Sequence, residues 1–175
     1  MTETVRIRRA VPADAAPLAE LAARIFHETF AEGTSPDDMA AFLAESYGER
    51  QQSEEIADPE IATLVAEAVG GALVAFSQSY RAPAPECVTG ESPVELQRFY
   101  VDRPWHGSGL AQRLMAATRD AGRDLGGRTL WLTVWERNDR AIAFYEKCGF
   151  VDVGEREFWV GSDCQMDRVM TAPLS

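Results

Sequence analysis

The stretch at residues 94–111, VELQRFYVDRPWHGSGLA, constrains the fold more than any other part of the chain. An apolar, aromatic and β-branched run, typical of a buried strand, is interrupted at Asp102. A turn containing Gly107 and Gly109 follows, and Leu110 begins an amphipathic helix. A strand, a glycine turn and a helix start present unpaired backbone N–H groups beside the positive end of the helix dipole. The sequence therefore predicts an anion site suited to a phosphate group.

The turn differs from two common nucleotide-binding motifs. No Lys follows the glycines, as a P-loop would require, and Gln112 stands where a dinucleotide-binding fingerprint has its third glycine. Taken alone, this stretch leaves two interpretations open. One is a site for a coenzyme phosphate, and the other is a tight turn that binds no ligand.

Two motifs identify a family by resemblance. The turn, His106-x-x-Gly109-x-Ala111, resembles the coenzyme A loop of the GNAT N-acetyltransferases, [QR]-x-x-G-x-[GA], with His at the first position. Residues 135–150 resemble the second family signature, N-x-x-A-x-x-F-Y-x-[KR]-x-G-F. Its defining positions are Asn138, Ala141, Phe144, Tyr145, Lys147, Gly149 and Phe150. The two motifs occur in the family's order, so the chain is identified as a member of the GNAT superfamily.

A wider resemblance covers nearly the whole chain. Residues 25–30, 35–39, 96–101 and 130–136, with Gly161, Asp167 and Met170, are similar to the PaiA-type spermidine/spermine N-acetyltransferases. This likeness implies transfer of an acetyl group from acetyl-CoA to a small-molecule primary amine, with a polyamine as acceptor. Other acceptors remain open, namely a protein N-terminus, an aminoglycoside or an amino acid. So does a regulatory module that senses coenzyme A without catalysis.

The order of elements predicts the fold class. The pattern reads β, α, α, β, β, β, α, β, α, β, β, which favours an α/β (α+β) protein with helices on both sides of a sheet. With the resemblance, we expect a GNAT fold: a curved, mixed and mostly antiparallel sheet of about seven strands in one domain, residues 1–175. Residues 48–59 are polar and acidic, which indicates a surface helix or loop.

Composition limits the function classes. The formal net charge of −11 argues against a nucleic-acid-binding surface. No apolar run reaches membrane-spanning length, so we expect no membrane partner. The three cysteines form no C-x-x-C and no signal peptide is recognisable, which predicts reduced thiols in a cytoplasmic protein. The two histidines are far apart in sequence, so we expect no metal site. Relatives often form dimers, which leaves a homodimer open.

The resemblance implies where coenzyme A binds. In the family, backbone groups of the motif strand bond the pantetheine arm, and backbone N–H groups of the turn bond the pyrophosphate. The residues expected to contact the coenzyme are therefore Phe99, Tyr100, Val101, His106, Gly107, Ser108, Gly109, Leu110, Ala111, Asn138, Arg140 and Tyr145.

Two residues are expected to be catalytic. By resemblance, Tyr145 is the general acid for the leaving thiolate, and an unperturbed pKa of about 10 keeps it protonated at neutral pH. Glu95 is the candidate general base, because relatives often carry a catalytic Glu on this strand. Strand alternation predicts that Glu95, Gln97, Phe99 and Val101 share one face, with Leu96, Arg98 and Tyr100 on the other. The alternative for Glu95 is a solvated or ion-paired strand end.

The first two helices are expected to select the acceptor. Carboxylates at Glu28, Glu32, Asp37 and Asp38 could meet ammonium groups, although the helix dipole alone explains the last two. Glu28 and Phe30 are the predicted substrate-binding residues. One of the four tryptophans, Trp105, Trp131, Trp135 and Trp159, could line the amine site through a cation–π contact.

Overall fold

The structure, a computed structural model, describes residues 4–30 and 34–174. The strands are β1 (Arg6–Arg9), β2 (Ile61–Glu67), β3 (Leu73–Tyr80), β4 (Pro93–Val101), β5 (Thr129–Trp135), β6 (Val151–Val160) and β7 (Asp163–Pro173). The helices are α1 (Ala15–Phe30), α2 (Pro36–Ser46), α3 (Glu49–Ala57), α4 (Leu110–Asp124) and α5 (Asp139–Lys147). The predicted order is confirmed, and α3 occupies the segment in which a surface helix or loop was expected.

The seven strands form one sheet in the order β1-β2-β3-β4-β5-β7-β6. Every neighbouring pair is antiparallel except β4 and β5, which run parallel. These two strands pair only over residues 93–95 and 129–131, and diverge beyond that point. The mixed, mostly antiparallel sheet of seven strands is therefore confirmed, with a wedge open at its centre.

Apolar cores on the two faces of the sheet hold the helices. On one face, Leu18 and Phe26 of α1 pack with Val65 and Phe76 of the sheet. On the other face, α4 packs through Leu114 against a cluster that includes Leu64 and Ala75, and the α5 residue Tyr145 joins a second cluster. Because side chains alternate along a strand, adjacent residues such as Leu64 and Val65 serve opposite cores.

A β-bulge interrupts β4 at Gln97. Ser79 of β3 pairs with Leu96, whereas the preceding Gln78 pairs with Arg98, so Gln97 is an extra residue with no partner in β3. One extra residue reverses the alternation of side chains. The prediction that Glu95 and Gln97 share a face with Phe99 and Val101 is therefore wrong. The face that holds Glu95 also holds Arg98 and Tyr100, and the opposite face holds Leu96, Phe99 and Val101.

Helix α3 is more deeply buried than its polar sequence indicates. Glu55 is 7% exposed and Gln52 is fully buried. Nη1 of Arg98 donates a hydrogen bond to Oε2 of Glu55 at 2.5 Å and another to Oε1 of Gln78. Nε2 of Gln78 in turn donates to Oε1 of Gln52 at 3.3 Å. Polar residues here satisfy one another inside the protein, which a hydrophobicity pattern cannot reveal.

None of the helices in residues 4–30 and 34–174 combines the length and the apolar character needed to cross a bilayer. The thiols of Cys87, Cys148 and Cys164 are all free.

Candidate active site

A cleft of about 1110 Å³ opens where β4 and β5 diverge. At one end it is lined by the glycine turn and the start of α4, through His106, Gly107, Gly109, Ala111 and Gln112. The rest of its lining includes aromatic and acidic side chains, namely Phe26, Glu28, Phe42, Tyr47, Trp135, Phe158 and Asp167. Tyr145 and the β4 residues Phe99, Tyr100 and Val101 also line it. Of the twelve residues predicted to bind the coenzyme, all except Ser108 and Leu110 line this one cleft.

The two glycines of the turn have left-handed backbones, with φ of +78° at Gly107 and +86° at Gly109. A Cβ built on either residue would meet no heavy atom within 4 Å. The space above the turn is therefore open, and only the backbone conformation requires glycine there. Gly109 is the N-cap of α4, so the N–H groups of Ala111 and Gln112, two residues that line the cleft, have no intrahelical partners.

Side chains of the turn hold its shape. Nε2 of His106 donates to the carbonyl oxygen of Val101 at 2.8 Å, which ties the turn to the end of β4. Oγ of Ser108 donates to the carbonyl oxygen of Trp105 at 2.6 Å and accepts from the N–H of Leu110 at 3.3 Å. His106, which departs from the family pattern, thus has a structural partner within the turn.

Four Arg and Lys side chains line the cleft in a chain of net charge −11. Arg98 is paired with Glu55, and the others are Arg103, which follows β4, and Arg140 and Lys147 of α5. Cations beside a helix N-terminus complement phosphate oxygens. The cleft therefore carries positive charge although the chain as a whole is acidic.

Asn138 sets the position of α5 and of Tyr145. Oδ1 of Asn138 accepts a hydrogen bond from the N–H of Ala141 at 3.2 Å and so caps the helix. Tyr145, two turns later, is 8% exposed and packs against Phe99 and Phe150, with ring centroids 6.2 and 5.7 Å away. Burial raises the pKa of the Tyr145 hydroxyl, so the group stays protonated and can donate a proton.

Aromatic rings of α1, α2 and β6 form part of the cleft wall. Phe26 and Phe42 stack with centroids 4.5 Å apart, and Phe158 meets Phe42 edge-on at 5.5 Å. The hydroxyls of Tyr47 and Tyr100 are hydrogen-bonded to each other. Of the four tryptophans, Trp105 and Trp135 line the cleft.

The predicted acceptor carboxylates separate into two groups. Glu28 lines the cleft and is exposed. Asp38 instead accepts hydrogen bonds from Ser162, with its Oδ1 2.8 Å from the Ser162 N–H, and neither Asp37 nor Asp38 is among the lining residues. Glu32 and the side chain of Phe30 lie outside the described residues.

Glu95 is described but is not among the residues that line the cleft. It is hydrogen-bonded to the hydroxyl of Tyr80, and burial raises the pKa of its carboxyl. The β-bulge at Gln97 places it on the face of Arg98, away from Phe99.

Asp167 of β7 is a cleft carboxylate to which sequence reasoning gave no role. It is 5% exposed and lies opposite Trp135 of β5. Burial raises the pKa of its carboxyl to about 6, a rise that a hydrogen bond from Thr133 partly offsets. The sequence does contain one indication of this position. Asp167 alternates with Gln165 and Val169 along β7, so a charged residue lies on the buried side of a strand whose later residues are apolar.

Comparisons with known proteins identify relatives along most of the chain. A sequence model of the acetyltransferase (GNAT) family matches residues 21–150. An uncharacterized N-acetyltransferase of Mycobacterium tuberculosis is 32% identical over 161 residues, which cover 92% of this chain and 98% of the relative. An aminoglycoside N(6')-acetyltransferase of Stenotrophomonas maltophilia is 32% identical, over 82% of this chain and 84% of its own length.

Two further matches are more distant. A spermine/spermidine N(1)-acetyltransferase of Bacillus subtilis is 29% identical, over 50% of this chain and 59% of its own length. Among solved structures, the PaiA N-acetyltransferase of Thermoplasma acidophilum in complex with coenzyme A superposes with a TM-score of 0.78. It is 20% identical, with 97% of this chain and 99% of that chain covered, so this likeness shows a shared fold.

Proposed function

The chain belongs to the acetyltransferase (GNAT) family, and we propose that it acetylates a primary amine of a polycationic acceptor, an aliphatic polyamine such as spermidine. Acetyl transfer is the activity of this family. The choice of a polyamine rests on the part of the cleft that is lined by Phe26, Phe42, Phe158, Glu28 and Asp167, which we name the acceptor end. That choice is carried by one observation: the acceptor end combines aromatic walls with two carboxylates, Glu28 and Asp167.

The coenzyme end fits a long phosphorylated thioester. The open left-handed glycines and the N-terminus of α4 would hold the pyrophosphate, and Arg103, Arg140 and Lys147 supply positive charge. Among the described strands, β5 does not pair with residues 96–101 of β4. Backbone groups of Phe99, Tyr100 and Val101 on that side, other than the Val101 carbonyl that His106 bonds, are therefore available to bond the amides of the pantetheine arm.

Tyr145 supplies the proton that the leaving sulfur needs. In acetyl transfer, the amine nitrogen forms a bond to the thioester carbon, and the carbon–sulfur bond breaks. A buried hydroxyl with a raised pKa remains protonated at neutral pH, as a general acid must. Its packing against Phe99 and Phe150 fixes the ring beside β4.

The charges at the acceptor end favour a cation. Arg98 also lines the cleft, but its guanidinium is paired with the buried carboxylate of Glu55. Asp167 and Glu28 add negative charge, and the surrounding rings present π faces that attract alkylammonium groups. An acceptor with two or more ammonium groups would meet both features at once.

An aminoglycoside is the second candidate acceptor, since it is also a polycationic primary amine. The likeness to the Stenotrophomonas maltophilia enzyme supports it. Its rings are much wider than a polyamine chain, so it would need a wider opening of the cleft than a polyamine does.

Product analysis tests the proposal. The purified protein is incubated with acetyl-CoA and, separately, spermidine, spermine, putrescine, an aminoglycoside and a peptide with a free N-terminus, and products are identified by mass spectrometry. Acetylated spermidine or spermine at a kcat/KM above about 10⁴ M⁻¹s⁻¹ is the expected result. Product only from the aminoglycoside or the peptide would replace the acceptor. Coenzyme binding without any acetylated product would favour a coenzyme A-sensing module.

A further inference from the structure

We infer that Asp167 is the catalytic residue that binds the ammonium group of the acceptor and takes its proton before the acetyl group is transferred. This inference rests on the proposed function and deepens it, because it assigns the deprotonation step to a residue of β7. The sequence had suggested Glu95 of β4 for that step.

The position of Asp167 is the first argument. Its neighbours across the sheet are Trp135 of β5 and Arg156 of β6, and its side chain lines the cleft. The same cleft is lined by Tyr145 and by residues 99–101 of β4, whose backbone groups are expected to bond the pantetheine arm. A carboxylate there lies within the space that the reacting amine must enter.

The second argument is an unmet hydrogen bond. Oδ1 of Asp167 is buried and has no partner in the part of the chain that the structure describes. Thr133 of β5 hydrogen-bonds the same carboxylate and so fixes its orientation. Buried polar atoms in native proteins nearly always have a partner. Because Asp167 lines the cleft, a hydrogen-bond donor bound there would supply the partner that this carboxylate lacks. An ammonium group is such a donor.

The charges around Asp167 suit a proton acceptor at neutral pH. Burial raises the pKa of its carboxyl to about 6, and Glu136, which follows β5, raises it further. Arg156 and the Thr133 hydroxyl act in the opposite direction. The carboxyl is therefore mostly ionised at pH 7, while its proton affinity is higher than that of an exposed Asp.

The protons and electrons balance over one cycle. An ammonium N–H proton moves to the carboxylate of Asp167, and the freed lone pair forms the bond from nitrogen to the thioester carbon. The carbon–sulfur bond breaks, and the sulfur receives the proton of the Tyr145 hydroxyl. The nitrogen gives up its second proton to the Tyr145 oxygen, and Asp167 releases its proton to solvent.

Glu95 resembles Asp167 in its burial but differs from it in position. It is absent from the cleft lining within the described residues, and the Tyr80 hydroxyl already bonds its carboxyl. The bulge at Gln97 places Glu95 on the face of Arg98 and not on that of Phe99.

The experiment compares the dependence of kcat/KM on pH for the wild type and four variants, with the acceptor that gives product. Asp167→Asn is expected to lower kcat/KM by about 10²- to 10⁴-fold and to remove the rise in activity centred near pH 6. Thr133→Val removes a hydrogen bond to the ionised form, so the same rise is expected at higher pH. Asp152→Asn, an exposed carboxylate of β6 paired with Arg168, is the matched control and should match the wild type. Glu95→Gln should retain the rise near pH 6.

A rise near pH 6 that persists in Asp167→Asn, or that disappears in Glu95→Gln instead, would overturn the inference while leaving the proposed function intact.

A second measurement needs no turnover. In the coenzyme A complex of the wild type, addition of spermidine should lower the pKa of the Asp167 carboxyl in a ¹³C NMR titration, because an ammonium partner favours its ionised form. An unchanged pKa of the Asp167 carboxyl would overturn the inference, whether or not an amine is acetylated. The absence of any acetylated amine would refute the proposed function separately. Calorimetry of coenzyme A binding to Asp167→Asn verifies that this variant is folded.

Discussion

Arg24 and Asp102 form a two-point ion pair, with Nη1 2.9 Å from Oδ1 and Nη2 3.0 Å from Oδ2. Asp102 ends β4, and its Oδ1 also accepts the N–H of Arg103 at 3.0 Å, which starts the 3₁₀ turn before the glycines. Arg24 belongs to α1, whose next turn supplies Glu28 to the acceptor end. The pair therefore joins the helix that lines the acceptor end to the turn that would hold the coenzyme.

Loss of this link should weaken coenzyme binding. In Asp102→Asn the capping oxygen remains but the charge is lost, and we expect unfolding free energy to fall by about 1–2 kcal/mol. Affinity for coenzyme A should fall roughly 3- to 10-fold, as calorimetry would measure. The control is Arg50→Gln, which removes an exposed ion pair with Glu54 and should change neither quantity measurably. A stability loss with unchanged affinity would show that the pair does not position the turn.

The glycine turn allows a prediction with a close internal control. Gly109→Ala forces a left-handed alanine, at a cost of about 1–2 kcal/mol in unfolding free energy, and its methyl group occupies the open space over the turn. Coenzyme A affinity should fall roughly 10- to 100-fold as contacts to the N–H groups lengthen. Gly70→Ala, in the β2–β3 turn with φ of +99° and equally free space, should cost the same stability and leave affinity unchanged. Equal affinities for the two variants would contradict the location of the phosphate site.

Tyr145→Phe isolates the general acid. The ring keeps its packing, so coenzyme A affinity should match the wild type, while kcat should fall by about 10²- to 10⁴-fold. Because burial raises the pKa of Tyr145, its ionisation should cause no loss of kcat up to pH 9 in steady-state assays. A wild-type kcat in this variant would remove Tyr145 from the mechanism.

Asp167 should make the protein less stable at high pH. Its folded pKa, about 6, lies above the ordinary 3.8, so the folded state binds this proton more tightly than the unfolded state. The contribution of Asp167 to the free energy of unfolding is complete below about pH 4. It is lost as the pH rises through about 6, and the total loss is at most about 3 kcal/mol. Asn does not titrate, so the stability of Asp167→Asn relative to the wild type should increase from pH 4 to pH 8 in urea unfolding. A pH-independent difference would mean that the carboxyl has an ordinary pKa.

The buried pair of Arg98 and Glu55 predicts contrasting effects at adjacent positions of α3. Glu55→Ala leaves a buried guanidinium without its carboxylate and should reduce unfolding free energy by about 3–5 kcal/mol. Glu54→Ala, next to it, removes only the exposed pair with Arg50 and should cost less than about 0.5 kcal/mol. Both values come from denaturant unfolding, and similar losses for the two would show that Arg98 is not desolvated.

Local signals were sufficient for much of the fold and the coenzyme end of the site. The strand, turn and helix at residues 94–111 and the capped helix at Asn138 follow from short-range chemistry, since glycine conformation and helix capping depend on neighbouring residues. Most of the residues predicted to bind the coenzyme belong to these locally determined segments, and they line the cleft.

Features that depend on distant partners were not predictable. The bulge at Gln97 exists only in the pairing of β4 with β3, and it reversed the face assigned to Glu95. Burial of α3 depends on Arg98, which lies 43 residues beyond Glu55. Asp167 enters the cleft because β7 lies next to β5 in the sheet, an adjacency that sequence order does not reveal.

The most direct test of the proposed function compares spermidine with butylamine as acceptors, by measuring kcat/KM from the release of the coenzyme A thiol. Both carry a primary amine on an alkyl chain that Asp167 could bind, but only spermidine has further ammonium groups to meet Glu28. We predict that kcat/KM is higher for spermidine by roughly 10- to 100-fold, as one added charge contact would give. Equal values for the two amines, or thiol release with neither, would contradict a cleft built for a polycationic acceptor.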